Sequence, residues 1–288
     1  MQRTLLFPIV AVIFLAGCSI QTIALRSTGA LVDYGLEAIN EESDLPLAEQ
    51  SIASNLKLLE GLLKGDPENA HLLLLASRGY SSFALGFAED DSPERGRVFY
   101  LRARDYGLRI LTQRNGFAQA WDKDLDSFQQ ALSALTADDV PAIFWTANGW
   151  GNYIRLTLTE PAAIADLPKV EALLRFVLEK DETYFFASAH LAMGTLLGSR
   201  PKLLGGNPEK AREHFERCLE ITTGKFLMAY VYYAMAYAVQ TQNKELFSSL
   251  LHKVDDASLD VLPEQRLANA IAKKKAEKLI ARISDLFE

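Results

Sequence analysis

The residues able to ligate a metal or attack an electrophile are few and scattered. His71, His190, His214 and His252 lie at separations that no helical turn closes, and none has a neighbouring Cys, Asp or His at metal-ligand spacing. His214 stands beside Glu213 and reads as a packing or surface residue. The run "DKDLD" at 122–126 has the acids of a calcium loop without its central glycine or distal glutamate, so it reads as a charged helix start. "LLGGNPEKA" sets two glycines before a helix N-terminus, a geometry that offers backbone N–H groups to an anion. It lacks the Gly-Lys-Ser/Thr ending of a phosphate loop and reads as a turn. With no Gly-x-Ser-x-Gly elbow and no carboxylate pair above the acidic background, the chain reads as non-enzymatic, without metal or cofactor.

Binding chemistry is better represented. "PAIFWTANGWGNYI", residues 141–154, carries two of the three tryptophans beside two glycines. On a helix, Trp145, Asn148 and Asn152 share one face, while Phe144, Ala147, Gly151 and Ile154 share another that is small, apolar and suited to close packing. Trp150 and Tyr153 lie on the flank between them. Ligand clefts combine apolar walls with a few oriented polar groups, and this stretch has that composition. Trp145, Asn148, Trp150, Asn152 and Tyr153 are therefore the candidate ligand-binding residues. The alternative, in which both tryptophans fill the core and the glycines make room, stays open at this level. Trp121 reads as core.

The elements that must position these residues are helical throughout. Ile52, Leu56, Leu59 and Leu63 recur at helical spacing, and "PENAHLLLLASRGYSSFALGFAED" reads as a buried helix with Pro67 near its first turn. Ser92-Pro93-Glu94 joins an oxygen-bearing cap, a proline and an early acid, starting a helix that stops before Asn115-Gly116. Further helices are expected at about 117–134, 139–157, 167–180, 184–198, 207–222, 226–241, 243–254 and 263–287, with no convincing strand.

The first residues set the compartment. A basic residue, Arg3, precedes an apolar run from Leu5 to Leu15 that has the length of a signal-peptide core. The run ends in Leu15-Ala16-Gly17-Cys18, which resembles a bacterial lipobox; an ordinary secretory signal or an uncleaved anchor is the alternative. Residues 1–17 are thus expected to be a signal peptide, Cys18 the lipidated N-terminus, and 18–288 one domain. Several acyl chains hold such a protein firmly to a membrane. Ser19 in place of aspartate favours, by resemblance to enterobacterial sorting, the periplasmic face of the outer membrane. Cys218 is then the one remaining thiol, so stability must come from packing. The net charge of -7 argues against nucleic acid. Lys273, Lys274 and Lys275, followed by Glu277, read as a solvated helix face.

Short helices joined by tight turns call for a search for repeats. "NPEKAREHFERCLEI" resembles the second helix of a tetratricopeptide repeat, with Ala211, Phe215 and Cys218 at its small, aromatic and small positions. Asp66-Pro67 and Asp181 resemble repeat junctions, and Ala192 falls at the small position of a first helix if "GSRPKLLGGNP" is an insertion. The expected fold is all-α, with stacked antiparallel helix pairs forming a tetratricopeptide-like superhelix, or solenoid, whose concave face can hold a peptide, a protein or a small ligand.

Four blocks in order, "NLKLLEGLLKGDPENAHLLLLASRGYSSFALGFAED", "VFYLRARDYGLRIL", "VPAIFWTANGWGNYI" and "GSRPKLLGGNPEKAREHFERCLEI", resemble the T-component family of tripartite ATP-independent periplasmic (TRAP) transporters. The resemblance runs from Cys18 to about Leu251; the segment 263–287 resembles nothing identified. It implies an accessory lipoprotein of a system in which a periplasmic solute-binding protein delivers an organic anion to an ion-driven permease. It further implies association with that solute-binding protein, a homo-oligomer (a trimer), and a ligand-sized channel or cleft in each subunit. A general repeat scaffold for protein assembly in the cell envelope is the alternative function.

Overall fold

The computed structural model describes residues 29–287, so the signal segment and Cys18 lie outside the described residues. The described chain is helical: α1 (Gly29–Asn40), α2 (Leu45–Gly65), α3 (Ala70–Phe83), α4 (Pro93–Leu111), α5 (Leu125–Ser133), α6 (Val140–Arg155), α7 (Pro161–Ala165), α8 (Leu167–Lys180), α9 (Tyr184–Gly198), α10 (Pro208–Ile221), α11 (Met228–Tyr233), α12 (Lys244–Asp256), α13 (Arg266–Ile280) and α14 (Ile283–Leu286). Both α3 and α11 continue into a single π-helical turn, Ala84–Ala88 and Ala234–Ala238. Each major helix packs on its neighbours in sequence, α2 on α3, α3 on α4, α4 on α6, α6 on α8, and onward to α12 and α13. The last long helix also touches α1 and α2, so the two ends of the array meet.

Local chemistry explains most of the boundaries. Ser92 accepts from Arg95 N at 3.4 Å and caps α4, with Pro93 at its first position. Asp124 accepts from Ser127 N at 2.9 Å, so the acidic run does start a helix. That helix begins at Leu125; the expected start at 117 is a 3-10 turn, Phe117–Gln119, entered through Gly116 at φ 83°. Pro67 lies in the turn before α3, whose cap is Asn69 accepting from Leu72 N at 3.1 Å. The segment 263–287 divides into a 3-10 turn, α13 and α14. The short α7 has no counterpart in the sequence-based expectation.

The predicted apolar face of α2 is buried as spaced: Ile52, Leu56, Leu59 and Leu63 retain at most 6% exposure. Each such burial is worth about 1.5–3 kcal/mol. In the repeat-like pair α9–α10, Ala211, Phe215 and Cys218 are wholly buried. The helices approach through Gly194 and Gly198, where a Cβ would sit 3.0 Å from the Phe215 ring and 2.9 Å from Ala236 O. Ala192, expected at the small position, instead faces a cavity.

The tightest contact of the first half is α4 against α6. A Cβ at Gly149 would lie 2.7 Å from Arg104 N and 2.9 Å from Tyr100 O, and one at Gly107 would strike Thr146 Oγ1. Two glycines, one per helix, let the backbones touch.

A buried carboxylate ties the last long helix to the first half of the chain. Glu89, just past the π turn of α3, accepts from Tyr100 Oη at 2.8 Å and from Lys275 Nζ of α13 at 2.8 Å, and it pairs with Arg155 at the end of α6. Lys275 also reaches Asp90 at 2.7 Å, and Lys278 reaches it at 3.2 Å. Of the cluster Lys273, Lys274 and Lys275, expected as a solvated face, Lys275 turns inward instead. Burial pushes the Glu89 carboxyl up, and the attraction of Arg155 and Lys275 with the attendant hydrogen bonds outweighs it, leaving the group below the ordinary carboxylate value. Its contribution is present above the ordinary carboxylate range and is lost as pH falls through the lowered folded value. Glu89→Gln takes the carboxylate away from Arg155 and leaves Lys275 with Asp90 alone, and it should cost about 3–5 kcal/mol in urea unfolding, with a flatter acid limb of the stability profile. A loss below about 0.5 kcal/mol, the range of neutral surface changes, would refute the role given to this network.

Candidate ligand-binding site

The helix α6 stands between two cavities of about 110 Å³ each. One lies against α8 and α9, with Ala147, Gly151 and Asn152 on its α6 wall and Val170, Leu191 and Ala192 opposite. The other lies against α3 and the C-terminal segment, with Trp145 on α6, Arg78 and Ser81 on α3, Phe185, and Gln265 and Ile271 beyond. Asn148 lines both. Its side-chain amide has no hydrogen-bond partner among the described residues, so a donor and an acceptor face space on either side of the helix.

The predicted residues divide between cavity and core. Trp145 is 4% exposed and borders the second cavity. Asn152 borders the first cavity; its Nδ2 donates to Asn148 O at 3.0 Å and its Oδ1 accepts from Arg155 Nε at 3.1 Å. Trp150 and Tyr153 line neither cavity. Trp150 is 2% exposed, lies 5.4 Å beneath the Arg104 guanidinium, and its indole N–H has no partner among the described residues. The face assigned to close packing is also divided: Ala147, Gly151 and Ile154 open onto the first cavity, and Gly149 makes the close approach. The reason is that α6 has neighbours on three sides, α4, α8 with α9, and α3, so no face of it is free to be a single cleft wall. Trp121 is only partly buried.

Backbone strain marks the second cavity. Phe185, Phe186 and Ala187 sit at φ 45°, 58° and 53°, three successive left-handed residues at the start of α9. Left-handed geometry costs a non-glycine residue about 1–2 kcal/mol and concentrates at functional positions. Here it carries the Phe185 ring to 4.8 Å from Trp145 and 5.1 Å from the Arg78 guanidinium carbon. No glycine or asparagine announces it in "TYFFA".

Two histidines separated in sequence meet across the α9–α10 pair. His190 Nδ1 is 2.8 Å from His214 Nδ1, and His190 Nε2 is 3.0 Å from Glu182 Oε2. Helical turns within one element could not join them, and the hairpin does. Glu182 is held down to about 2 by hydrogen bonds from Arg217 and His190. Being ionised, it accepts from His190 Nε2–H, and with both rings neutral His190 Nδ1 then accepts from His214 Nδ1–H. Among the described residues no group of three or more His, Cys, Asp or Glu side chains could hold a metal ion.

The arrangement is thus that of a helical, repeat-like protein with two largely apolar cavities beside α6. Residues 41–287 match the family model described as TRAP transporter T-component, and the chain belongs to that family. It is accordingly an accessory component of a TRAP transport system, acting on the periplasmic side. It is also similar to a protein of Treponema pallidum (strain Nichols) described as an uncharacterized protein, 24% identical over 99% of this chain and 98% of the other. No described helix is long and apolar enough to cross a membrane.

Burial, with Nδ1 contact to His190 and the nearby Arg175 and Lys210, lowers His214 from 6.5 to about 4. The unfolded chain therefore takes up this proton first, and stability falls as pH drops from the ordinary value toward the folded one. An NMR titration should place the His214 midpoint at about 4; a midpoint at the ordinary value would show that the ring pair is open in solution.

Proposed function

We propose that this chain is a membrane-anchored periplasmic subunit that docks the solute-binding protein of its transporter and holds a small ligand in the cleft beside α6. The observation that carries the ligand part is Asn148, whose unpartnered amide stands between two apolar cavities. A half-buried amide without a protein partner has donor and acceptor capacity to spare, and a ligand crossing this point would satisfy it. Trp145 and Asn152 contribute the walls on either side; Trp150 and Tyr153 serve the packing behind them.

Membership of the T-component family supports the docking part. The lipobox ending in Cys18 supports a lipid anchor, and Ser19 supports the outer membrane. Leu31, Tyr34, Leu47 and Leu58 stand at 70%, 67%, 51% and 53% exposure on α1 and α2, and this apolar surface supports the homo-oligomer, a trimer, that the family resemblance implies.

Two measurements test the reading. Sedimentation of the protein with the solute-binding protein of the same transport system should give a complex, and free sedimentation of both would overturn the docking assignment. Asn148→Ala should weaken the tryptophan fluorescence response to bound ligand by about 5-fold or more, the loss of a net hydrogen bond, while the melting temperature stays close to that of the parent. An unchanged response would remove Asn148 from the site.

A further inference from the structure

The second cavity has an end built of donors. Arg78 and Ser81, three residues apart on α3, share a face and both line it. Among the described residues Arg78 makes no ion pair and no hydrogen bond; residues 1–28 contain no Asp or Glu that could supply a partner. The attractions that act on it come from Tyr184 and then from Asp33, which is beyond ion-pair reach of Arg78 and is engaged by His71 at 3.1 Å. Burial lowers the Arg78 guanidinium from its ordinary value by more than these two raise it. Ser81 is 2% exposed and its hydroxyl also has no partner.

A half-buried cation without an ion-pair partner and a buried hydroxyl without a hydrogen bond, both on one cavity, are a desolvation cost that a bound anion would offset. The guanidinium is held in place by the rings of Phe185 at 5.1 Å and Trp145 at 6.0 Å. That stacking leaves its planar fork of N–H groups free for bidentate contact with a carboxylate. The rest of the wall is apolar, with Leu36, Ile52, Leu267 and Ile271. The volume, about 110 Å³, approaches that of engineered apolar cavities of about 150 Å³ that take one aromatic ring.

We propose that this cavity binds an organic monocarboxylate with a short apolar or aromatic body, the carboxylate on Arg78 and Ser81 and the body between Trp145, Phe185 and Ile271. The proposal rests on the cleft reading above and names its ligand class. Neither Arg78 nor Ser81 is marked out in the sequence, where both sit inside an apolar helix. The strained turn at Phe185 acquires a purpose in this arrangement, since it brings in the ring that orients the guanidinium.

The test compares hexanoate and phenylacetate with their neutral amides on the purified full chain, read by tryptophan fluorescence and calorimetry. Charge-assisted hydrogen bonds predict that each acid binds about 10- to 100-fold more tightly than its amide. Arg78→Met should erase that preference; Arg78→Lys should keep part of it. Acids and amides bound equally by the parent, or a preference that survives in Arg78→Met, would overturn the carboxylate assignment and leave the cleft reading standing. Binding of neither acids nor amides would overturn both the carboxylate and the cleft, while the sedimentation experiment would still judge the docking separately.

Discussion

The structure depends most on the buried carboxylate of Glu89. It joins three places distant in sequence: the π turn after α3, the C-terminal end of α6 through Arg155, and α13 through Lys275. An open stack of helix pairs needs polar caps at its two ends. Here the last long helix meets α1 and α2, and a charge network links that helix to the ends of α3 and α6. Burying these ions is costly, and their mutual satisfaction, completed by Tyr100, is what makes the site tolerable. The close approach of Gly96 to the Glu89 backbone, where a Cβ would lie 2.9 Å from Cα, shows how little slack surrounds it.

That constraint shapes the cleft. Arg155 is both a partner of Glu89 and a wall of the first cavity, and it orients Asn152 through Nε. On the opposite side of α6, the glycine contact with α4 holds the helix at backbone distance. Pinned along one side and at one end, α6 presents its remaining two flanks to space. The second cavity is closed by α13, which Lys275 and Asn269 hold in place; Asn269 accepts from Leu227 N at 3.0 Å. The second cavity and the closure of the chain are therefore parts of one arrangement, which places the C-terminal helix in the cavity wall.

Much of the helical layout was legible, because amphipathic spacing and caps are local. The face of α2, the Ser92-Pro93 start, and Ala211, Phe215 and Cys218 of α10 all follow from residues within a few turns of one another. The candidate site was legible in composition only. Trp145, Asn148 and Asn152 line cavities and Trp150 and Tyr153 do not, and no helical wheel separates them, since each flank of α6 meets a different neighbour. Arg78, Ser81 and the His190–His214 pair were illegible for the same reason: their meaning lies in contacts between helices.

By itself the sequence determined the helical class and the order of blocks that marks the T-component family. These rest on short-range periodicity and on motif order, which need no third dimension. Only the tertiary structure decided which sides of α6 border space, which glycine lets the helices touch, and where an unpaired guanidinium meets a cavity. Those depend on packing angles and on the long-range Glu89 junction, and a one-dimensional pattern holds no record of which distant charge a buried carboxylate will choose.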